Sequence, residues 1–367
     1  MSSKDSRYKF LFAGGGTGGH LYPAIAVADQ IKIMKPEAEI LFVGTKNKIE
    51  GTVVPKLGYR FKSIWIKGFA RKFNLENLLF PIKLFVSALQ SLIINMSYKP
   101  KVAIGSGGYV SGPAIWGASV MGAKVILLEQ NSYPGVTTRL LERKAQEIHI
   151  SFEDSKKYFR NKNALIFTGN PVRKNLGSMD RKSALENFGL SDTKKTLLIL
   201  GGSLGASSIN KAVVDNLEKL VEAGIQIIWQ TGKIYFERFR GLIGENIKVL
   251  DFIEDMNAAY SSCDLMLARS GATTIAELLV LGIPSILVPS PNVAENHQYH
   301  NAKSLEENGA SILIEDKNLS AELAEAVIKT INDNSELKSL SENALKLAKP
   351  SAAETIAKSA IKFAEIV

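Results

Sequence analysis

Twice in this chain an apolar strand runs straight into a glycine loop and then a helix, and this recurrence narrows the fold more than any other feature. Tyr8 to Ala13 breaks into Gly14-Gly15-Gly16-Thr17-Gly18-Gly19-His20, with a helical stretch from Pro23. Thr196-Leu197-Leu198-Ile199-Leu200 breaks into Gly201-Gly202-Ser203-Leu204-Gly205-Ala206, with a helix from Ser208. Each is followed by a second echo. Val102-Ala103-Ile104 leads through Gly105-Ser106-Gly107-Gly108 to a helix near Pro113 and the strand Val125 to Leu128. Asp264 to Ala268 leads through Ser270-Gly271 to a helix near Thr273 and the strand Ser285 to Val288. Strands alternating with helices argue for parallel, doubly wound sheets. Two Rossmann-like α/β domains are therefore expected, facing one another across a cleft that collects ligands at the carboxyl ends of both sheets. Turn residues cluster at Thr168-Gly169-Asn170-Pro171, which sets the expected boundary. The expected division is a first domain over 1–169, a second over 170–350, and an amphipathic helix over 351–367 that closes the second domain or crosses back to the first.

A length of 367 residues with 46% hydrophobic content supplies the cores of two ordinary domains. The single cysteine, Cys263, excludes an intramolecular disulfide and fits a reducing compartment. Lying in an apolar run, it reads as a small buried hydrophobe rather than a nucleophile. The N-terminus shows no secretory-signal pattern, so a cytoplasmic location is expected. The net charge of +9, from 45 basic and 36 acidic residues, favours anionic partners. The basic residues are spread along the chain without a nucleic-acid-binding signature, so no nucleic acid partner is expected. A phosphorylated substrate or an anionic membrane surface accounts for the charge equally well. Leu75 to Met96 is the most apolar long segment, but Pro81, Lys83, Gln90 and Asn95 interrupt it, against the ~20 apolar residues of a membrane span. As a helix from Pro81 it places Ile82, Phe85, Val86, Leu89, Ile93 and Met96 on one face. That face either buries against a sheet or, with Lys67, Arg71 and Lys72 upstream, rests on a membrane.

The first glycine loop turns sharply and brings backbone N–H groups up to an anion, with a helix N-terminus behind them. His20 adds nothing to such a cradle, whereas its unperturbed pKa of about 6.5 suits proton transfer. Gly14, Gly16 and Gly19 also match the dinucleotide-binding pattern, yet the second strand Ile40 to Val43 ends in Gly44-Thr45-Lys46 without the required carboxylate, which argues against a nicotinamide or flavin enzyme. In Arg269-Ser270-Gly271-Ala272-Thr273-Thr274-Ile275-Ala276-Glu277, small residues and hydroxyls at a helix start offer N–H groups to a diphosphate. Glu277 lies a turn inside, where it reaches a ribose or stands as an ordinary exposed glutamate near a helix start. The polar loop Pro291 to Gln298 follows the strand ending at Val288, at the ligand-bearing end. His297 and His300 have no third ligand at matching spacing and no Asp-x-Asp pair is evident, so no metal site is expected.

Taken in order, several motifs resemble one family over nearly the whole chain: the peptidoglycan N-acetylglucosaminyltransferases that convert lipid I to lipid II. They are Gly-Gly-Thr-Gly-Gly-His with Pro23, Gly107-Gly108-Tyr109-Val110-Ser111-Gly112-Pro113, Glu129-Gln130-Asn131, Asn170-Pro171-Val172-Arg173, Gly201 to Ala206, Phe252-Ile253-Glu254-Asp255-Met256, Arg269 to Glu277, and Asn296-His297-Gln298. The resemblance implies a two-domain inverting glycosyltransferase of the B type, with no cofactor and no bound metal in its catalytic step. It implies that UDP-N-acetylglucosamine is held mainly by the second domain, through Arg173, Ser203, Ile253, Ala272, Thr273, Thr274, Ile275, Ala276, Glu277 and Gln298. Thr17, Gly18, Gly19 and Asn131 then reach the donor from the first domain. The implied acceptor is undecaprenyl-diphosphate-linked N-acetylmuramoyl pentapeptide, bound by the first domain as it docks peripherally on the anionic cytoplasmic membrane face through Leu75 to Met96. His20 is then the base that takes the proton of the acceptor C4 hydroxyl. Two departures bear on this. Leu128 stands where some members carry histidine, leaving His20 as the sole candidate base, and Leu204 stands where several carry glutamine. A transferase acting on another lipid such as diacylglycerol, and a nonenzymatic UDP-sugar-binding regulator, are the competing readings.

Overall fold

Near-continuous apolar runs make strands that are buried on both faces, the signature of parallel sheets covered by helices. The computed structural model describes residues 8–68, 79–174, 176–202, 204–293 and 296–366, and among these it has two such sheets. The first comprises β1 (Lys9–Gly14), β2 (Glu39–Gly44), β3 (Arg60–Ser63), β4 (Val102–Gly107), β5 (Lys124–Glu129), β6 (Glu147–Ile150) and β7 (Leu165–Phe167), in the order β3-β2-β1-β4-β5-β6-β7. The second comprises β8 (Thr196–Leu200), β9 (Gln226–Gln230), β10 (Ile247–Leu250), β11 (Leu265–Ala268), β12 (Ser285–Leu287) and β13 (Ile312–Leu313), in the order β10-β9-β8-β11-β12-β13. Every pairing is parallel. Each order reverses once, between β1 and β4 and between β8 and β11, and such switch points are where doubly wound sheets bind ligands.

The chain divides into a unit of 1–173 with 349–367 and a unit of 174–348. In the first, Phe10, Phe12, Phe42, Ile104, Ile126 and Leu128 cover one sheet face and pack against the helix Gly18–Met34 and Ile356, Ala357, Ala360 and Ile361 of the C-terminal helix Ala352–Ile366. Leu11, Ala13, Val43, Ala103 and Val125 face the other way, toward the helix Ser111–Val120. The second unit alternates likewise. Leu197, Ile199, Trp229 and Leu267 meet the helices Ser207–Glu222 and Leu319–Asn332, while Leu198, Leu200, Met266 and Leu287 meet Ile275 and Leu278 of the helix Ala272–Leu281. Where the chain returns, Lys349 lies on Gly169, whose φ of +81° and lack of a side chain make room for it.

The helix Phe80–Tyr98 overturns the reading of a crossover helix buried by its apolar face. Its buried residues are Ser87, Ser91, Asn95 and Tyr98, whereas Ile82, Phe85, Leu89, Ile93 and Met96 are exposed. Small polar residues face inward because the backbone of the helix Ser111–Val120 comes close: a Cβ on Gly117 would stand 3.1 Å from Ser91 Cβ and 3.2 Å from Asn95 Nδ2. Leu75 to Leu78 of the expected apolar segment, together with Arg71 and Lys72, lie outside the described residues.

Candidate active site

β1 ends at Gly14, and the chain turns through Gly15, Gly16 and Thr17 into the helix Gly18–Met34, which carries His20 in its first turn. β4, paired with β1 at the switch point, brings Ser106, Gly107 and Gly108 up to the imidazole. The ring Nδ1 lies 2.9 Å from the Ser106 carbonyl oxygen and 3.2 Å from Gln130 Oε1. The Gln130 amide is oriented by its Nε2, which donates to the Leu128 carbonyl at 3.4 Å. With two acceptors facing it, Nδ1 carries the proton of the neutral ring and Nε2 carries the lone pair. Gly107 and Gly108 adopt φ of +99° and +77°, and a Cβ on Gly107 would stand 2.7 Å from His20 Nδ1. A side chain there would displace the ring. The Ser106 hydroxyl donates to the His20 carbonyl at 2.7 Å, and beside it Gly14 has no space for a Cβ.

Thr17 is extended and exposed and starts the helix without capping it by its side chain, and Gly19 is exposed beside it. Gly18 lies against Tyr22, whose ring a Cβ would approach to 3.0 Å. The bare N–H groups expected of this loop are partly taken up, because the Gly16 N–H donates to Glu50 Oε2 at 2.9 Å. Asn131 is placed by Glu129, whose buried carboxylate accepts from the Asn131 N–H at 3.1 Å and the Gly135 N–H at 3.0 Å. Burial pushes the Glu129 carboxyl above its ordinary range, against the pull of these donors. Arg173, expected at the start of the second domain, is the last residue of the first unit, its guanidinium 4.4 Å from the centre of the Tyr22 ring.

In the second unit, Gly202 and Gly205 take φ of +88° and +77°, and a Cβ on Gly205 would collide with the Thr231 carbonyl. Gln230 ties this loop to Ile253: its Nε2 donates to the Gly202 carbonyl at 3.0 Å, and its Oε1 accepts from the Ile253 N–H at 2.8 Å. Ser203 lies outside the described residues, and Leu204 is 73% exposed. The helix Ala272–Leu281 starts at Gly271 without a side-chain cap and without an acidic residue in its first turn, which carries Thr273 and Thr274. Ser270 Oγ donates to the Gln298 carbonyl at 2.8 Å, while Gln298 Oε1 accepts from the Ser290 N–H at 2.9 Å, so Gln298 is fastened beside that helix start. Ala272 and Ile275 are buried and Ala276 is half-buried. Glu277 is not the ordinary exposed glutamate: it is 6% exposed and accepts from the Tyr260 hydroxyl at 2.6 Å. Arg269 is structural, bonded to Asp316 at 2.5 Å, to the Val288 and Pro289 carbonyls, and to Ser208 at 2.7 Å. Burial pushes the Cys263 thiol up to about 12, which keeps it from acting as a thiolate. Among the described residues no group of three or more His, Cys, Asp or Glu side chains is arranged to hold a metal.

The first unit thus gathers Thr17, Gly18, Gly19, His20 and Asn131 at the ends of β1, β4 and β5; the second carries Ile253 after β10, tied through Gln230 to the loop after β8, and Ala272 to Glu277 and Gln298 after β11 and β12. Sequence reasoning passed over Ser106, Gln130, Glu50, Gln230 and Tyr260. Ser106 and Gln130 stand inside motifs already singled out; Glu50, Gln230 and Tyr260 leave no local signal, since what matters in each is contact with another segment.

Two family models match the chain: the glycosyltransferase family 28 N-terminal domain over residues 10–150 and the family 28 C-terminal domain over residues 196–356. A protein of Flavobacterium psychrophilum is 43% identical over 362 residues, 98% of each chain. It is named UDP-N-acetylglucosamine--N-acetylmuramyl-(pentapeptide) pyrophosphoryl-undecaprenol N-acetylglucosamine transferase. A Bacteroides fragilis protein of the same name is 43% identical over 365 residues, 97% of this chain and 96% of its own. The crystal structure of Acinetobacter baumannii MurG is similar with a TM-score of 0.72 and 27% identity, covering 96% of this chain and 99% of that one. The calicheamicin glycosyltransferase CalG4 shares the fold at a TM-score of 0.67 and 12% identity, covering 97% and 98%.

Proposed function

The chain belongs to glycosyltransferase family 28, and from that membership we propose that it transfers N-acetylglucosamine from UDP-N-acetylglucosamine to lipid I, the undecaprenyl-diphosphate-linked N-acetylmuramoyl pentapeptide, giving lipid II for peptidoglycan. Near-full-length relatives are named for this sugar and this acceptor. The observation that carries the chemistry is the seat of His20, whose Nδ1 faces two carbonyl oxygens. Nε2 takes the proton of the acceptor C4 hydroxyl as that oxygen attacks C1 of the sugar and the bond to UDP breaks. The imidazolium so formed is stabilised through Nδ1–H by the Ser106 carbonyl and Gln130. Charge developing on the departing diphosphate is met by the first-turn N–H groups of the helix Ala272–Leu281 and by Arg173. Glu277 accepts from the ribose hydroxyls, and Ile253, Gln298, Ser203, Thr17, Gly18, Gly19 and Asn131 complete the donor contacts. A single displacement inverts the anomeric centre, so an α-linked donor gives a β-linked product. No cofactor and no nucleic acid enter this reading.

The first unit docks peripherally on an anionic membrane surface on the cytoplasmic side, where the lipid acceptor is presented. What supports this is the helix Phe80–Tyr98, which by length and composition could cross a membrane. It is instead joined to the fold by a polar face, and by the Trp65 N–H donating to Gln90 at 2.7 Å, while its apolar face is exposed. Lys67 and Lys83 add positive charge nearby, and Trp65 is half exposed, with Lys83 over its ring. Such a combination suits an interfacial site. Turnover of UDP-N-acetylglucosamine with and without a lipid I analogue tests the reading. The expected result is acceptor-dependent release of UDP and a β-linked disaccharide; transfer to diacylglycerol instead, or donor binding without turnover, would overturn it.

A further inference from the structure

We infer that Glu50 is the resident anion of the first glycine loop, and that it is the positioning residue holding this loop in the shape that carries His20. The second part rests on the assignment of His20 as the base. Glu50 lies in the first turn of the helix Ile49–Lys56 and is 1% exposed. Its Oε2 accepts from the Gly16 N–H at 2.9 Å, and its Oε1 accepts from the Thr45 N–H at 3.0 Å and the Thr45 hydroxyl at 2.6 Å. The carboxyl group lies directly against the loop. A Cβ on Gly15 would stand 2.3 Å from Glu50 Cδ, and one on Gly44 would stand 2.4 Å from Glu50 Cγ. Of the glycines that read as space for a phosphate, Gly15 leaves its space to a carboxylate of the same chain, and Gly16 gives that carboxylate its N–H.

Hydrogen bonds from backbone N–H groups and a hydroxyl to a carboxylate are among the stronger kind, more so when buried. The N-terminal turn that carries Glu50 also favours negative charge. A phosphate approaching the Gly16 N–H would meet this carboxylate at contact distance, and like charges in a buried setting repel strongly. The loop therefore does not offer that amide to a diphosphate. It is held from one side by Glu50 and from the other by Ser106, which contacts Gly14 and the His20 carbonyl. Between these two anchors the chain passes through Thr17 into the turn bearing His20.

The test uses the full-length Glu50→Gln and Glu50→Ala variants. Both are expected to melt cooperatively and bind UDP as the wild type does. Their kcat falls about 100-fold, the scale of a misplacement of about 1 Å at a catalytic group, while the donor KM stays within about twofold. Formate, which replaces the missing carboxylate, restores part of the kcat of Glu50→Ala. With saturating UDP filling the donor site, inorganic phosphate followed by phosphorus NMR binds Glu50→Ala and not the wild type. Phosphate binding to the UDP-saturated wild type as strongly as to Glu50→Ala, or undiminished kcat in Glu50→Gln, would overturn the inference. If Glu50→Ala does not fold, kcat of the isosteric Glu50→Gln decides. Undiminished kcat in His20→Ala, with phosphate still selecting Glu50→Ala, would overturn the base assignment and uphold the resident anion.

Discussion

At His20 the neighbours select a chemical form, not only a position. Two carbonyl oxygens at Nδ1 leave the lone pair of the neutral ring on Nε2, which is the arrangement a general base requires. His20→Ala is therefore expected to lower kcat by about 100-fold or more, since a positioned base contributes about 10² to 10⁴. UDP affinity should be nearly unchanged because the proposed donor contacts lie mainly elsewhere. Steady-state kinetics with UDP titration checks both, and wild-type kcat would remove the assignment. Glu277 calls for the opposite pattern. It is buried, and its orientation is set by the Tyr260 hydroxyl, so it is already ordered before any ribose arrives. Glu277→Ala should weaken UDP-sugar binding by about 1.5 to 3 kcal/mol, the range for hydrogen bonds to a charged group. Unchanged affinity by calorimetry would reduce Glu277 to a structural partner of Tyr260.

The helix Phe80–Tyr98 inverts the usual amphipathic arrangement, with Ser87, Ser91 and Asn95 inside and Phe85 65% exposed. A contiguous apolar stripe of this kind marks a contact surface. Because Phe85 and Leu89 are exposed rather than core, replacing both by Ser should leave the melting temperature close to that of the wild type. The same variant should lose affinity for anionic vesicles and activity on the long-chain acceptor, while keeping activity on a short-chain soluble analogue. Vesicle cosedimentation beside thermal melting decides: either a destabilised variant or a folded one with undiminished vesicle binding would discard this helix as the membrane contact.

For the molecule as a whole, the chain leaves the first unit after Arg173 and returns to it at Lys349. The first unit is thus completed by the last segment of the sequence, whose Ile356 is fully buried among β-strand side chains and the helix Gly18–Met34. Truncating a buried isoleucine typically costs about 2 to 5 kcal/mol. Ile356→Ala should accordingly lower the melting transition of the first unit while leaving UDP binding by the second intact. Calorimetric melting together with UDP titration reads the two separately, and a wild-type transition would show that the C-terminal helix contributes little to that core.

Much of this was legible in the amino-acid order. Strand alternation, the doubled strand–loop–helix start, the glycine loops and a histidine at a helix mouth are patterns among neighbouring residues, and neighbouring-residue geometry alone produces them. The Glu129-Gln130-Asn131 run belongs with them. Four other features were not legible. The inward face of the helix Phe80–Tyr98 follows from Gly117 meeting Ser91, the C-terminal helix could have closed either unit, and the proton on His20 follows from a carbonyl 86 residues away. Glu50 reaches the Gly16 N–H across 34 residues, so a loop that reads as an empty anion cradle comes already occupied. Burial makes each of these choices, because a buried polar group must find a partner and an apolar helix face must be covered, and which partner lies near depends on how distant segments pack.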